Sequence, residues 1–562
     1  MVGPSRQERR RADAIRRREG PSRRTGSAAP ITLAEARRLI AEGDATRAFD
    51  AFETLLRNAP NSHEVRAEFG WFLIDHLPSR PHPVVDPILI AALEGCWIRP
   101  ELLAVPVVRY LTAKWPEALA GMGADEAQLA GMMRDPLLLA LLKATPAGTP
   151  ALERALGRFR AVAPLAAIGG YDLAAFLPAL VALAIRGWHS GYALCVPLDS
   201  DGAEEAALHA RLAAEIADGK REGNDLAVAI AVCACYAPPP DAVLDGITES
   251  NAALRELGTR VIIPRRRQRH IAQDLRPITT FDDSSAIVAN QYEQHPYPAW
   301  VAEPEFAGDA PRAVLKALGP AGAKTARSVL VAGCGTGQHA IAAARNWPAA
   351  AILAVDLSRT ALAYGIDKAA QARIDRIAFA QGDILRIEEI GRRFQVIEAV
   401  GVLHHLADPA QGLRALERVL APGGVMKLAL YSSAARRNLE TVRGAFGPCD
   451  GADDAEVRRF RAWALASLDA PEILYSPDFY SIGGCRDLMF HVREHAYTLE
   501  EIGILLESAG LRLLALEAPA AAQLLLPAVP GPADTAGWRD VERLHPGLFG
   551  SMYQFWACRR EG

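Results

Sequence analysis

The chain has 562 residues, half of them hydrophobic, and its 62 basic and 66 acidic side chains give a formal net charge of −4 at pH 7. This length predicts several domains, and the balanced charge excludes a general electrostatic attraction to nucleic acid. The longest apolar runs, Leu173–Ile185 and Leu226–Tyr236, are shorter than the ~18 residues of a membrane span. No apolar signal-peptide region follows the arginine-rich start. We therefore expect a cytoplasmic protein without membrane association or specific nucleic-acid binding.

The first 29 residues differ in composition from the rest. Residues 1–29 contain nine arginines against three acids and almost no apolar side chains. Such a segment cannot bury a core, so we expect a disordered tail. It is either a solvated tail or a weak tether for nucleic acid or an acidic partner.

Residues 30–80 match the 34-residue tetratricopeptide (TPR) helix pair in one register. The matching residues are Ala36, Leu39, Gly43, Ala48, Phe52, Leu55 and Pro60. The pattern decays after Leu73, and one and a half repeats cannot form a long solenoid. We expect a TPR-like element that docks a protein partner or caps the fold. A free-standing binding groove is the alternative.

Residues 81–280 are predicted to form a helical domain. Two helix starts, Asp86-Pro87 and Asp135-Pro136, each combine a capping carboxylate with proline at the first helical position. The residues that follow are apolar nearly all round, which predicts buried helices. The run Pro264–Arg269 predicts an exposed, charged connector. No catalytic constellation occurs here, so we expect a structural or binding role.

A short aromatic linker follows, from Asn290 to Trp300. It contains three aromatic residues and two prolines. Pro296 and Pro298 favour an extended chain that presents Tyr297 instead of packing it along a helix.

From residue 281 onward the pattern changes to short strands that alternate with helices. Strands are predicted at Ser328–Ala332, Ala351–Val355, Ile377–Ala380, Val396–Val400, Val425–Leu430, Leu511–Leu516 and Met552–Cys558. Helices are predicted at Gln338–Arg345, Ser358–Ala370 and Leu499–Ala509. Alternation in pieces this short implies an α/β fold with parallel strands and right-handed crossovers.

The turn after the first strand carries Gly333, Gly335 and Gly337. Glycines let the backbone kink and approach a ligand closely. Asp356 ends the next strand, where open α/β sheets bind the ribose of a nucleoside. A dinucleotide fold would place its third glycine at position 338, which is Gln338. A nicotinamide oxidoreductase is therefore a weaker alternative.

The motifs from the glycine turn onward resemble those of class I S-adenosyl-L-methionine (SAM)-dependent methyltransferases. They are Val331-Ala-Gly-Cys-Gly-Thr-Gly337, Gln381-Gly-Asp383, Gly401-Val-Leu-His-His-Leu406 and Leu420-Ala-Pro-Gly-Gly424, in this order. The resemblance implies a seven-stranded, Rossmann-like domain over residues 281–562 that uses SAM. The TPR-like start, the aromatic linker and the stretch Cys485–His495 also resemble a bacterial group of TPR-containing members.

The resemblance implies a cofactor site of twelve residues. They are Tyr292, Tyr297, Gly333, Cys334, Gly335, Thr336, Gly337, Asp356, Leu357, Asp383, Ile384 and Val400. Asp356 would bind the ribose and Asp383 the adenine amine. Tyr297 would either cover the sulfonium by cation–π contact or anchor the linker to the sheet. Val331 stands where many members carry an acidic residue, which leaves the groups that hold the methionine end of SAM open.

The catalytic candidates are His404 and His405, which follow the fourth strand. Either could act as a general base, or each could brace its loop by hydrogen bonding to the backbone. An insertion at residues 432–498 is predicted to roof the acceptor pocket. Its polar residues include Arg486, Asp487, His491, Arg493, Glu494 and His495. His491 and His495 lie four apart on a predicted helix, but without a third ligand nearby we expect hydrogen-bonded or exposed side chains and no metal site.

The function predicted from the resemblance is methyl transfer from SAM to an unidentified acceptor, a small molecule or a protein. The alternative is a SAM-binding regulator or scaffold that uses the TPR-like region for interaction and has little turnover.

Overall fold

The computed structural model describes residues 31–120, 125–194, 202–239, 251–305, 326–447, 453–518, 529–550 and 552–560, together with Val314, Ala522 and Leu526. The chain divides into two compact units, the first ending at Phe69 and the second beginning at Gly70. The predicted tail, residues 1–29, lies outside the described residues.

The first unit begins with two helices, Leu33–Ala41 and Ala45–Asn58, that pack on each other. Thr32 and Asp44 cap their first turns by accepting hydrogen bonds from backbone amides. Phe52 stacks on Phe69 with ring centroids 5.1 Å apart. These helices occupy the predicted TPR-like segment, and their assignment as a TPR stays a prediction.

The described residues between 70 and 294 form helices and no β-strand. The helices are His63–His76, which begins in the first unit, Val85–Glu94, Pro100–Lys114, Pro116–Leu119, Glu126–Met132, Pro136–Ala144, Pro150–Ile168, Leu177–Ser190, Gly202–Ala217, Gly223–Ala234, Ala252–Leu257, Ile263–Asp274 and Ala286–Gln294. Short 3-10 turns lie at Ala174–Phe176 and Asp283–Ser285, and a π-helical turn lies at Gly258–Ile262.

The two Asp-Pro helix starts behave differently. Asp135 caps its helix, as predicted, because its carboxylate accepts a backbone amide hydrogen bond at 2.9 Å. The prediction that Asp86 caps a helix is wrong, since that helix begins one residue earlier, at Val85. The Asp86 carboxylate instead accepts hydrogen bonds from the Tyr110 hydroxyl at 2.9 Å and the Lys114 ammonium at 2.5 Å. A charge-assisted tertiary contact outweighs a local cap here.

Eight strands of the second unit form one sheet. They are β1 Ser328–Ala332, β2 Ala351–Asp356, β3 Ile377–Gln381, β4 Phe394–Val400, β5 Leu420–Ser432, β6 Ala496–Tyr497, β7 Leu511–Leu516 and β8 Met552–Arg559. Their order is β3-β2-β1-β4-β5-β8-β7, with β6 beside β5. Strands β1 to β5 pair in parallel, and β8 runs antiparallel to both β5 and β7. The predicted α/β class is confirmed, and only the two-residue β6 has no counterpart among the predicted strands.

Helices and apolar side chains cover both faces of the sheet. The helices of this part are Gln338–Asn346, Arg359–Gln371, Pro409–Arg418, Leu499–Ser508 and Thr535–Leu544. Leu330 and Ile397 belong to the apolar core on one face, while Val329, Val396 and Trp347 belong to the core on the other. Burial on both faces explains why the strands are continuous apolar runs instead of alternating ones.

The parallel strands bring the predicted site to one edge of the sheet. β1 leads into Gly333, β2 ends at Asp356 and β3 is followed by Asp383. β4 is followed by a 3-10 turn that contains His404 and His405. Because the carboxyl ends of parallel strands lie at the same edge, these residues share the crevice where open α/β sheets bind ligands.

The insertion between β5 and β6 is helical. Its elements are Ser433–Phe446, Asp454–Ser467, Pro471–Leu474 and Ile482–Phe490, with a 3-10 turn at Pro477–Tyr480. Phe460 and Phe479 lie in its apolar core, which also takes in Ala193 from the helical region.

The predicted helical spacing of His491 and His495 is wrong. The last helix of the insertion ends at Phe490, and His491 has extended backbone angles (φ −60°, ψ 133°). The His491 Nδ1 accepts a hydrogen bond from the amide of Arg493 at 3.0 Å. This local bond closes a turn where the helix would otherwise continue.

A buried ionic network joins the helical region to the insertion. Arg461 of the insertion donates to Glu153 Oε1 at 2.7 Å, and Arg186 donates to Glu153 Oε2 at 2.9 Å. The three side chains are at most 3% exposed. Burial alone would raise the pKa of Glu153, but the two guanidinium groups hold it below its usual value.

The run Pro264–Arg269 is not a connector, contrary to prediction. It lies in the helix Ile263–Asp274, which packs on the helix Arg359–Gln371 of the sheet domain. Arg267 forms an ion pair with Asp367. A carboxylate on the facing helix thus gives the basic run a docking role, while the predicted domain boundary near residue 280 stays a prediction.

Helix length and polarity determine whether a helix could cross a membrane. Within the described part of the chain, no helix is both long enough and apolar enough to cross a membrane. The helix Pro150–Ile168 reaches 19 residues but carries the charged side chains Glu153 and Arg160 in its buried face.

We predict that Glu153→Gln lowers the free energy of unfolding by about 3–5 kcal/mol, because it leaves two buried guanidinium groups without their countercharge. Chemical denaturation measures this change. Glu507→Gln is the matched control, since the Glu507–Arg560 pair is more than half exposed and should cost less than about 1 kcal/mol. Equal, small effects of both substitutions would contradict the prediction.

Candidate active site

The glycine turn is held close to its surroundings by backbone geometry. Gly333, Gly335 and Gly337 have φ values of +69°, +51° and +82°, the left-handed region that favours glycine. The amides of Gly333 and Cys334 donate to the carbonyl of Val355 at 2.8 and 3.0 Å. A Cβ at position 337 would lie 2.8 Å from the Cα of Gly365. Positive φ therefore favours glycine at all three positions, and at position 337 the close approach of the Gly365 backbone also excludes a side chain.

Asp356 ties the glycine turn to the end of β2. Its carboxylate accepts the amide of Gly335 at 2.7 Å and the amide of Ser358 at 2.9 Å. Burial raises the pKa of Asp356, and the backbone hydrogen bonds oppose that shift. The neighbouring Leu357 has its carbonyl bound by the Gln381 side chain at 2.9 Å. Asp356 thus has a structural role in addition to its predicted ligand role.

Asp383 has a similar double role at the end of β3. Its carboxylate oxygens accept the amides of Asp282 and Leu385, each at 2.9 Å. Its own amide donates to the Thr279 hydroxyl at 2.8 Å. The adjacent Ile384 is buried in the apolar core of the sheet.

The aromatic linker lies against the glycine turn. The amide of Thr336 donates to the carbonyl of Tyr297 at 3.0 Å, and the Thr336 hydroxyl donates to the carbonyl of Pro298 at 2.7 Å. The indole of Trp300 donates to the same hydroxyl oxygen at 3.0 Å. Burial raises the pKa of the Tyr297 hydroxyl well above its usual value, and the charge of Asp478 in the insertion adds to this shift. These contacts fix the linker on the glycine turn, and the two alternative roles of the Tyr297 ring stay a prediction.

Val331 lies in the apolar core and is 1% exposed. A buried carboxylate does lie beside it, on the next strand, where Glu398 of β4 pairs with Val331 of β1. Glu398 accepts the Trp347 indole N–H at 2.7 Å and lies 2.7 Å from His339 Nε2. Burial alone would raise the pKa of Glu398, but His339 and Trp347 hold it below its usual value. The sequence signal that could have identified Glu398 is an acidic residue inside the otherwise apolar strand 394–400. Val400, a predicted cofactor residue, ends this strand and is half-buried.

The candidate bases His404 and His405 belong to a cluster of buried rings. His405 stacks on His491 of the insertion, with ring centroids 3.6 Å apart. The ring centroids of His404 and Tyr431 lie 3.9 Å apart. The Tyr292 hydroxyl donates to Asp487 Oδ1 at 2.7 Å, and the Tyr431 hydroxyl donates to Asp487 Oδ2 at 3.2 Å. The sequence did not mark Tyr431 as a site residue, because the apolar strand that contains it matches no functional motif.

Hydrogen bonding assigns the tautomer of His405. Its Nδ1 lies 2.9 Å from the carbonyl oxygen of Arg493, so Nδ1 carries the hydrogen and donates it. Nε2 then carries the lone pair and faces Asp487 Oδ1 at 3.9 Å. Burial lowers the pKa of His405, although the charge of Asp487 opposes this shift. The arrangement gives a neutral imidazole with an oriented lone pair.

His404 is completely buried. Within the described part of the chain, neither of its ring nitrogens has a hydrogen-bond partner. Burial lowers the pKa of His404 well below its usual value, and the charge of His405 adds to the shift. The predicted brace between histidine and backbone is therefore formed by His405 and not by the side chain of His404.

Three potential metal ligands, His405, Asp487 and His491, place one atom each within 4.8 Å of one another. The hydrogen bonds argue against a metal among them. His491 Nδ1 accepts the amide of Arg493, so its Nε2 carries a hydrogen and donates to the Tyr292 hydroxyl at 3.1 Å. A nitrogen that carries a hydrogen has no lone pair for a metal ion, so this tautomer favours a hydrogen-bonded cluster. The prediction rested on the lack of a third ligand near His491, and His405 and Asp487 lie close enough to supply one.

The remaining polar residues of the insertion form structural contacts. Arg486 donates to Asp454 at 2.9 Å, and Arg493 donates to the carbonyl of Ser284 at 3.2 Å. His495 Nε2 lies 3.1 Å from the carbonyl of Leu406. A further pair joins Glu494 to Arg436, whose guanidinium also lies 3.8 Å from the ring centroid of Tyr431. The contacts of Arg493 and His495 join the insertion to the neighbouring segments, while the Arg486–Asp454 and Arg436–Glu494 pairs lie within the insertion.

Comparison with known proteins identifies the family. Residues 329–424 match the family model described as a methyltransferase domain. Over 189 residues the chain is 32% identical to trans-aconitate 2-methyltransferase from Deinococcus radiodurans, an alignment that covers 31% of this chain and 70% of that enzyme. The chain belongs to this methyltransferase family. The predicted family is thereby confirmed at the level of the methyltransferase domain.

Two further similarities each cover a smaller share of the other protein. An uncharacterized Synechococcus protein is 35% identical over 131 residues, which are 23% of this chain and 31% of that protein. The structure of PKMT2 from Rickettsia typhi in complex with AdoHcy has 17% identity and a TM-score of 0.35, and the match covers 47% of this chain and 55% of that chain. Membership of the TPR-containing group stays a prediction.

We predict that Gly335→Ala displaces the linker, because a Cβ there would lie 2.3 Å from the carbonyl oxygen of Tyr297. Hydrogen exchange of the Thr336 amide should accelerate by at least about tenfold, which corresponds to loss of one hydrogen bond. Gly391→Ala is the matched control, since Gly391 has φ +65° with nothing within 4 Å and adds only the left-handed backbone cost of about 1–2 kcal/mol. Unchanged exchange at Thr336 in the Gly335 variant would refute the prediction.

Proposed function

We propose that this methyltransferase family member transfers a methyl group from SAM to an acceptor that is a small molecule or a protein. The observation that carries the proposal is Asp356, a half-buried carboxylate that holds the glycine turn at the carboxyl edge of the sheet. A relative that shares 32% identity is named for methyl transfer to trans-aconitate, which supports methyl transfer as the reaction class.

The described residues fit a nucleoside cofactor. An ionised carboxylate offers about four lone-pair sites, and Asp356 uses two of them on backbone amides. Asp383 likewise accepts two amides. Each carboxylate can therefore accept further hydrogen bonds, Asp356 from ribose hydroxyls and Asp383 from an adenine amine. Burial makes such donors favourable, because an unsatisfied buried carboxylate is costly.

Bound SAM would supply a methyl group already activated on a sulfonium. The protein then has to position the acceptor, and positioning alone can lower a barrier by about 7–11 kcal/mol. The linker is fixed on Thr336, and the insertion contacts the histidine turn through the His405–His491 stack. An acceptor bound between these two segments would be shielded from water and limited in its orientations.

His405 is the residue best placed to remove a proton from the acceptor. The Arg493 carbonyl fixes its ring, so the Nε2 lone pair is oriented before an acceptor binds. Asp487, 3.9 Å from Nε2, would stabilise the ring once it has taken a proton. His404 lacks such an orienting bond within the described residues and packs against Tyr431.

Calorimetry should show saturable binding of SAM to the wild-type protein. Asp356→Ala should weaken it by about 1.5–3 kcal/mol, because charge-assisted hydrogen bonds to the ribose are lost. Asp125→Ala is the control for lost backbone hydrogen bonds, since Asp125 accepts the amide of Ala127 at 2.7 Å in the helical region, and it should leave SAM affinity unchanged. If the wild-type protein does not bind SAM, or the Asp356 variant binds it equally well, the proposal fails.

With an acceptor identified by screening extracts with radiolabelled SAM, His405→Gln should lower turnover by about 10²–10⁴-fold at near wild-type SAM affinity. His404→Phe, which keeps the ring against Tyr431, should lower it less than tenfold. Because burial lowers the pKa of His405 below 6.5, its base form persists below that pH. The acid limb of kcat/KM should therefore lie below pH 6.5. Full activity of the His405 variant would move the search for a base to Asp487 and His491.

A further inference from the structure

A cavity of about 460 Å³ lies between the helical region, the end of the linker and the helix Arg359–Gln371. Its volume falls within the range of small-molecule sites. Leu93 and Trp188 contribute apolar wall. The charged residues that line it are Lys143, Arg260, Arg267 and Lys368 against Glu94 and Asp367. None of the residues assigned to the SAM site is among those that line this cavity, and its charge is net positive.

Three of the four cations have a carboxylate partner. Arg267 pairs with Asp367, which also accepts the Gln268 amide at 2.9 Å. Lys143 and Arg260 share the carboxylate of Glu256, at 3.0 and 3.4 Å. Of the four cations, Lys368 is the one whose ammonium lacks a carboxylate partner among the described residues.

Lys368 is half-buried at the cavity wall. Among the described residues no carboxylate lies within ion-pair distance of its ammonium, which donates one hydrogen bond, to the carbonyl of Val301 at 2.7 Å. Its other contacts are with the rings of Trp300 and Tyr364, at 5.6 and 5.3 Å. An ammonium carries three donors, so the protein leaves donor capacity unused at this wall.

The electrostatics of the cavity point the same way. Burial lowers the pKa of Lys368 to about 8; Asp367 opposes this shift, and Arg260 and Arg267 add to it. Burial also lowers the pKa of His189, with contributions from Lys368 and Arg260, so this cavity residue is neutral. A neutral imidazole can donate a hydrogen bond without adding charge. An anion in the cavity would offset the unfavourable burial of the ammonium.

We propose that this cavity binds a small organic anion, whose carboxylate or phosphate group pairs with Lys368 and Arg260 and whose apolar part packs on Leu93 and Trp188. Arg260 lies in the π-helical turn Gly258–Ile262. Such turns are rare and occur frequently at functional sites. The exposed Arg260 side chain and the half-buried Lys368 would contact the anion from the mouth and the wall of the cavity.

The proposed site is connected to the glycine turn by hydrogen bonds. Lys368 holds the carbonyl of Val301, and the Tyr364 hydroxyl donates to the carbonyl of Trp300. The Trp300 indole in turn donates to the Thr336 hydroxyl at 3.0 Å. An anion that binds the Lys368 ammonium therefore affects the linker, which lies against the glycine turn. If the two sites are coupled, SAM and the anion must change each other's affinity by the same factor.

The test is calorimetry of the full chain with inorganic phosphate and, separately, with benzoate, at constant ionic strength. We expect saturable, one-to-one binding of at least one of these anions. Lys368→Met should weaken it by at least about tenfold and Arg260→Gln by about three- to tenfold, the loss of one charged hydrogen-bond donor each. Lys220→Met removes an exposed lysine outside the cavity and should leave the affinity unchanged.

The two probes separate the sources of the anionic group. Binding of phosphate alone identifies a phosphate site, and binding of benzoate alone identifies a site for organic carboxylates. The proposal is overturned if neither anion saturates the wild-type protein, or if Lys368→Met binds as the wild type does. Should Lys368→Met fail to fold, Arg260→Gln decides, because its side chain is exposed; unchanged affinity there also overturns the site.

Hydrogen exchange of the Thr336 amide tests the connection to the glycine turn independently of SAM binding. A saturating anion should change the exchange rate of Thr336. An unchanged rate would refute the coupling while leaving the anion site in place. Failure of SAM binding would refute the proposed function without affecting either result.

Discussion

Asp356 accepts the amides of Gly335 and Ser358, and this pair of hydrogen bonds fixes the turn between β1 and its helix relative to the end of β2. The fixed turn presents the Thr336 amide to the carbonyl of Tyr297, so the linker settles on the same turn. One half-buried carboxylate therefore supports both the glycine turn and the linker that lies against it. Its remaining lone pairs are available to a ligand, because carboxylates accept more hydrogen bonds than the two that the backbone supplies.

The roof of the site depends on charges buried far from the glycine turn. Glu153 of the helical region lies between Arg186 and Arg461, and Arg461 belongs to the insertion that covers the histidine cluster. A buried ion pair contributes little net stability compared with apolar packing, but removal of one partner is costly. The network therefore fixes where the insertion sits more than it stabilises the fold. This gives the long helical region a positioning role in addition to any role in binding partners.

The neighbouring histidines of the 3-10 turn show how burial separates two residues of the same type. Burial disfavours the protonated, cationic form of both rings. His405 faces Asp487 and donates to the Arg493 carbonyl, which orients its lone pair, whereas His404 packs against Tyr431. Their different surroundings, and not their order in the chain, favour His405 for proton transfer. The same hydrogen-bond network places a hydrogen on His491 Nε2 and so opposes a metal ion.

The sequence by itself determined the α/β class, the seven long strands and the edge of the sheet where the glycine turn, Asp356, Asp383 and the histidines lie. These follow from local rules, since apolar runs, glycines and helix caps act over a few residues and parallel strands place their carboxyl ends together. Only the tertiary structure decided the partners of Asp86, the docking of the run 264–269 on Asp367, the place of Glu398 beside Val331 and the contacts that distinguish His404 from His405. Each of these depends on charges or hydrogen bonds between segments distant in sequence, and no local pattern encodes which buried group will meet which partner.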